Sequence, residues 1–148
     1  MTLFLNLVRV ITCVLVLQTS AQALTCAEIS ESQARYQCLV QSRRSYGVRL
    51  ERELLQRGLD ASVFVEETGD PGSGAYPRLI VWTFLAKAQP YALNNEAKIL
   101  EGARHVGFRT LVYVDKGEEQ NWYFNLTKPG KAALDVVPWQ TPPWKRNN

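Results

Sequence analysis

Gly107-Phe108-Arg109-Thr110-Leu111-Val112-Tyr113-Val114 decides how this chain folds. A helical pattern stops at a glycine, one large apolar residue follows, and a run of Val and aromatic residues begins. Glycine suits the left-handed residue that closes a helix, and the apolar residue after it folds back on the last turn. Valine and aromatics favour a pleated, half-buried strand. Gly58-Leu59-Asp60-Ala61-Ser62-Val63-Phe64-Val65 has the same order. The chain therefore reads as helix–strand–strand twice over. That predicts an α+β fold, with two helices on one face of a four-stranded, mainly antiparallel sheet. Residue identity between the two junctions is sparse. An internal duplication and two independent helix-to-strand junctions both account for it.

The elements follow outward from these junctions. A helix is expected over about 32–57, with an apolar stripe of Tyr36, Leu39, Val40, Tyr46, Leu50, Leu54 and Leu55 at steps of three and four. Gly47 is a weak point within it. Ala61–Glu66 is the first strand. Glu67–Pro77 is a loop, because Asp70-Pro71-Gly72-Ser73-Gly74 cannot hold regular structure. Arg78–Ala86 is the most apolar strand, buried on both faces and hence central. Lys87–Leu93, which contains Pro90, reads as a connection, and a second helix runs from Asn94 to His105. Strands at Arg109–Val114 and Asn121–Leu126 flank the turn Asp115-Lys116-Gly117. From 127 to 148, Pro129, Pro138, Trp139, Pro142, Pro143 and Trp144 mark a C-terminal tail, with a turn of helix expected around Lys131–Asp135.

The first 23 residues have a different character. Arg9 precedes the apolar run Val10–Leu17, and Ala21-Gln22-Ala23 supplies the small-x-small end of a cleaved signal peptide. Cleavage is expected after Ala23, leaving a single domain over 24–126 and the tail. Asn6 and Arg9 interrupt the apolar stretch, which is short of the roughly 20 residues a spanning helix needs. No stable membrane insertion is expected after cleavage. Thr12 before Cys13 argues against a lipid-attachment site, where a small residue belongs. The expected location is the bacterial periplasm or the extracellular medium.

Export sets the chemistry of the remaining cysteines. Cys26 and Cys38 form an even pair in an oxidising compartment, so a disulfide is expected. Twelve residues of straight helix would span about 18 Å, whereas bridged Cα atoms lie within roughly 7 Å. The segment around Leu24–Ser30 must therefore hook back along the helix, or the helix must break.

Charge gives little direction. Seventeen Lys and Arg face fourteen Asp and Glu; without Arg9 the balance is sixteen to fourteen, a net of +2. That is too weak to point to nucleic acid. No nucleophile elbow, His-Glu-x-x-His helix, phosphate-binding glycine loop or metal-ligand cluster is present, so no cofactor or metal is implied. A hydrolase reading rests on Glu66, Glu67 and Asp70, with His105, the only histidine, as a candidate partner whose proximity would decide it. The plainer reading makes these a solvated turn and a helix-end imidazole that complements the helix dipole. Asn125-Leu126-Thr127 fits a glycosylation sequon but sits at a strand end.

Alternation along the strands suggests a site. Val63, Val65, Leu79, Val81, Val112, Val114, Trp122, Phe124 and Leu126 form an aliphatic-rich face to receive the helices. The other face collects Phe64, Ile80, Trp82, Phe84, Leu111, Tyr113 and Tyr123. This aromatic face is either covered by the tail with Trp139 and Trp144 or binds a protein or small ligand. Phe64, Trp82, Phe84, Tyr113 and Tyr123 are its candidate contact residues. A non-enzymatic binding module is the expected function; a small hydrolase and a self-associating envelope component are the alternatives.

Overall fold

A computed structural model of the chain describes residues 26–68, 76–130 and 132–140. The expected signal peptide at 1–23, Asp70, Trp144 and most of the Gly-rich loop lie outside the described residues. The chain divides into two compact units, one ending at Ser42 and the other beginning at Arg43.

In the first unit a helical turn at 26–28 leads through a short break into helix α1, Ser32–Gln56. The Arg35 side chain donates to the Ile29 carbonyl at 2.8 Å and fixes that break. Cys26 is thereby brought back beside Cys38, and the two form a disulfide with Cα atoms 5.6 Å apart. This is the hook that the spacing required. A closed loop of this length typically stabilises by about 2–4 kcal/mol.

The second unit holds the rest of α1 and a five-stranded mixed sheet. Its strands are β1 (Ala61–Glu66), β2 (Arg78–Thr83), β3 (Thr110–Asp115), β4 (Gln120–Asn125) and β5 (Leu134–Pro138). They lie in chain order across the sheet. All neighbours are antiparallel except β2 and β3, which run parallel. Both predicted junctions form. Gly58 and Gly107 take positive φ, at 75° and 86°, where a side chain would be strained. Leu59 N–H bonds back to Leu54 O, and Phe108 N–H to Ala103 O. Each glycine N–H closes the inner bond, to Leu55 O and Arg104 O. This is the double bond of a Schellman ending, with Leu59 and Phe108 turned into the core.

Three expectations need correction. First, Lys87–Leu93 is helical: α2 spans Leu85–Asn94 with Pro90 inside it, and α3 spans Glu96–His105. A parallel pair needs a crossover of a dozen or more residues. The two helices together supply it, which makes the sheet mixed. The sequence conceals α2 because its cap is not local. Phe84 at the N-cap offers no side-chain bond. Asp115 instead, at the end of β3, accepts Leu85 N–H at 3.0 Å while its carboxylate also holds Gly117 N–H. Second, part of the tail is a strand. β5 pairs with β4, and its β-branched Val136 and Val137 outweigh the surrounding prolines. No turn of helix forms at 132–135. Third, the two faces exchange residues at β3. The pairings Leu79↔Leu111 and Val81↔Tyr113 put Leu111 and Tyr113 on the helix side. Val112 and Val114 lie on the other side. A strand buried on both faces has no polar alternation to show which side is which.

The main core joins Tyr46, Leu50 and Leu54 of α1 to Leu79, Val81, Leu111, Tyr113, Trp122 and Phe124 of the sheet and to Ile99, Leu100 and Ala103 of α3. The buried stripe of α1 is Arg43, Tyr46, Gly47, Leu50 and Leu54, while Tyr36 and Leu55 are exposed. Gly47 is not a weak point but a contact: a Cβ there would meet Val65 Cγ2 at 3.1 Å. Arg43 is tolerated in the stripe because Glu67 receives its guanidinium at two oxygens, with Nη2 to Oε2 at 2.6 Å.

Candidate functional site

On the side of the sheet away from the main core, Ile80, Val112 and Val114 are buried. Phe64, Trp82, Tyr123 and Trp139 pack around them. Every described member of this second cluster comes from a strand or from Trp139, with no helical residue among them. Register explains the gathering. Phe64 lies opposite Ile80, Ile80 beside Val112, and Val112 opposite Tyr123, so one transverse row crosses four strands.

Three predicted contact residues, Phe64, Trp82 and Tyr123, therefore share this face, each half-buried. Phe84 stands apart, at the N-cap of α2 beyond the end of β2, and is 40% exposed. Tyr113 does not belong. It is 3% exposed in the helix-side core, edge-on to Trp122 and Phe124 at centroid distances of 6.3 and 6.2 Å. Burial pushes its hydroxyl well above the ordinary tyrosine range.

Two further residues complete the cluster, of which the sequence reading missed Lys116. Lys116 Nζ sits 4.7 Å from the centroid of Trp82 and 5.9 Å from that of Phe84, joining the two rings through one cation. Its side chain is only 11% exposed, and Asp60 accepts from it at 2.7 Å. The bland reading of Asp115-Lys116-Gly117 as a turn conceals this role. Trp139 packs on the face as the tail reading allowed, but edgewise from the end of β5. Its indole N–H donates to Asp115 O at 3.1 Å.

The carboxylates of the hydrolase reading are differently placed. Glu67 is committed to Arg43. Glu66 ends β1 with Oε2 buried and without a hydrogen-bond partner, and His105 is exposed at the end of α3. Among the described residues, no group of three His, Cys, Asp or Glu side chains could hold a metal ion. A groove of about 640 Å³ between the α2–α3 corner and Gly130 is lined by Leu93, Ala97, Leu100 and Arg104, none of them a predicted contact.

The architecture is a small α+β domain with a mixed sheet and a disulfide-bonded helical start. No protein-family model, curated protein or solved structure matches it. Among the described residues, no helix is long and apolar enough to cross a membrane.

Proposed function

We propose that the chain is an exported, non-enzymatic binding module of the bacterial envelope or medium. Its contact surface is the sheet face of Phe64, Trp82 and Tyr123, with Phe84 at the corner. The observation that carries this reading is the aromatic row itself. The three rings surround a small aliphatic centre, and Lys116 Nζ lies 4.7 Å from the Trp82 ring and 5.9 Å from the Phe84 ring. Half-buried aromatics held in fixed positions offer large contact area at little entropic cost on binding. Exposed apolar clusters on an exported protein usually mark an interface. The occupant is a protein or a small ligand with an apolar or ring-bearing surface.

The test is capture of binding partners from native culture by the wild-type protein and by Trp82→Ala, Tyr123→Ala and Leu93→Ala. Leu93 is exposed on α2 and serves as the control. The expected result is loss of the captured species with the first two variants and retention with the third. Equal capture by all four proteins would remove the face from consideration.

A further inference from the structure

The spacing of residues in α3 sets three charges along one side of it. Glu96, Leu100 and Arg104 follow one another at steps of four, and Ala97 and Glu101 form the neighbouring row. Both rows line the groove of about 640 Å³ at the α2–α3 corner, and Leu93 of α2 extends its apolar part. That size falls in the ordinary range for small-molecule sites. The groove shares no residue with the aromatic sheet face, so the two surfaces stand or fall separately. Its charged lining is two carboxylates and one guanidinium. None of the ion pairs among the described residues engages Glu96, Glu101 or Arg104. Arg104 Nε makes one long bond to Leu126 O, at 3.4 Å, and its Nη2 is buried without a hydrogen-bond partner. A buried donor left unbonded is unfavourable, and a planar guanidinium is best satisfied by a carboxylate. Glu101 stands about 4.5 Å before Arg104 along the helix axis, and Glu96 about 12 Å before it. Ala97 and Leu100 fill the interval between the two carboxylates.

We propose that this groove binds a free cationic α-amino acid, of the lysine or arginine type. The ligand carboxylate takes the Arg104 guanidinium, and its α-ammonium takes Glu101. Its methylene stem lies over Leu100 and Ala97, and its terminal cation takes Glu96. Charge complementarity selects this occupant over simpler ones. A simple anion would meet two carboxylates. A simple cation would leave the Arg104 donor unbonded, and an apolar zwitterion would leave Glu96 unmatched. The carboxylate and ammonium of an α-amino acid share one carbon, which suits acceptors one helical turn apart. A methylene stem capped by a charge suits apolar surface with a polar rim. In turning toward the ligand, Arg104 gives up only the long bond to Leu126 O.

Saturation-transfer NMR on the purified protein tests this with L-lysine and L-norleucine, which has the same stem without the terminal ammonium. L-lysine should bind, and L-norleucine should bind about fivefold more weakly. Glu96→Gln should cancel that difference, weakening L-lysine about fivefold and leaving L-norleucine unchanged. A merely structural role for Glu96 would weaken both alike. Nα-acetyl-L-lysine, the chemistry of a peptide's terminal lysine, lacks the α-ammonium and should bind more weakly than L-lysine. Glu101→Gln should remove that preference. Arg104→Gln should abolish binding of both amino acids; its melting temperature shows whether the fold survives, and the Glu96→Gln comparison stands without it. No transfer to L-lysine at about 10 mM would overturn the proposal. So would equal binding of L-lysine and L-norleucine, an equal loss of both with Glu96→Gln, or acetyl-lysine binding as tightly as lysine.

Discussion

Gly102→Ala should destabilise this protein, although the same change in an exposed helix interior ordinarily stabilises by about 0.5–1 kcal/mol. A Cβ built at Gly102 lies 2.8 Å from Tyr46 Cε2, 2.9 Å from its hydroxyl oxygen and 3.2 Å from Cζ. Normal carbon contact begins near 3.5 Å, so the ring must retreat by about 0.7 Å. It has little room: Tyr46 is 8% exposed, leans on Phe108 and donates to Ile99 O at 2.9 Å. Overpacking of this kind costs about 1–3 kcal/mol, and pulling the hydroxyl from its carbonyl adds about 1 kcal/mol. Set against the helix gain, the net loss should be about 1–3 kcal/mol. Urea unfolding followed by tryptophan fluorescence measures it as a lower midpoint. In a Tyr46→Leu background the obstruction is gone, and Gly102→Ala should then raise the midpoint. A higher midpoint for Gly102→Ala in the wild-type background would refute the packing argument.

Asp115→Ala removes the distant cap of α2 and leaves the buried Leu85 N–H without an acceptor, so it should cost about 1–3 kcal/mol. Circular dichroism should show helix loss with it, whereas Asp115→Asn, which keeps one acceptor oxygen, should lose less. Arg43→Ala strands the part-buried Glu67 carboxylate and should cost about 1–3 kcal/mol. The double change Arg43→Met with Glu67→Leu should recover most of that in the same urea assay, and a double variant no better than the single would show that the ion pair itself stabilises. Burial pushes the hydroxyls of Tyr46 and Tyr91 up to about 12, and that of Tyr113 higher. In the unfolded chain they ionise near 10. Their contribution is therefore fully present below about pH 10 and is lost as pH rises through about 12. Unfolding midpoints should fall over that window together with the 295 nm tyrosinate signal, and a midpoint that stays level through it would contradict the burial.

The junctions at Gly58 and Gly107 were legible because a left-handed ending has a local signature. The first and third helices and four of the strands followed from them. The Cys26–Cys38 bridge was legible from an even cysteine pair behind an export signal, and the turn back of the chain from its dimensions. The elements that escaped depend on distant residues. Nothing near Leu85 announces a helix start, since its acceptor lies on β3. β5 depends on β4 for its hydrogen bonds, and its prolines mislead. At the candidate site, Phe64, Trp82 and Tyr123 could be grouped by period-two alternation, but the side to which β3 assigns Tyr113 is set by register with β2. Lys116 carries no sequence signal beyond a turn. Its place between two rings exists only once β2 and β3 lie side by side.

The capping of α2 by Asp115 also orders events in time. During synthesis, Leu85 at the start of α2 leaves the ribosome 30 positions ahead of the carboxylate that starts the helix. Until that carboxylate arrives, the stretch is a proline-bearing coil with no acceptor for its first amide, and isolated helices this short are marginal in water. A nascent chain halted before Asp115 should therefore keep this stretch protease-sensitive, and its release past that point should close it in one step with the parallel strand pair. In the export proposed above, a helix that cannot form early would leave the polypeptide threadable.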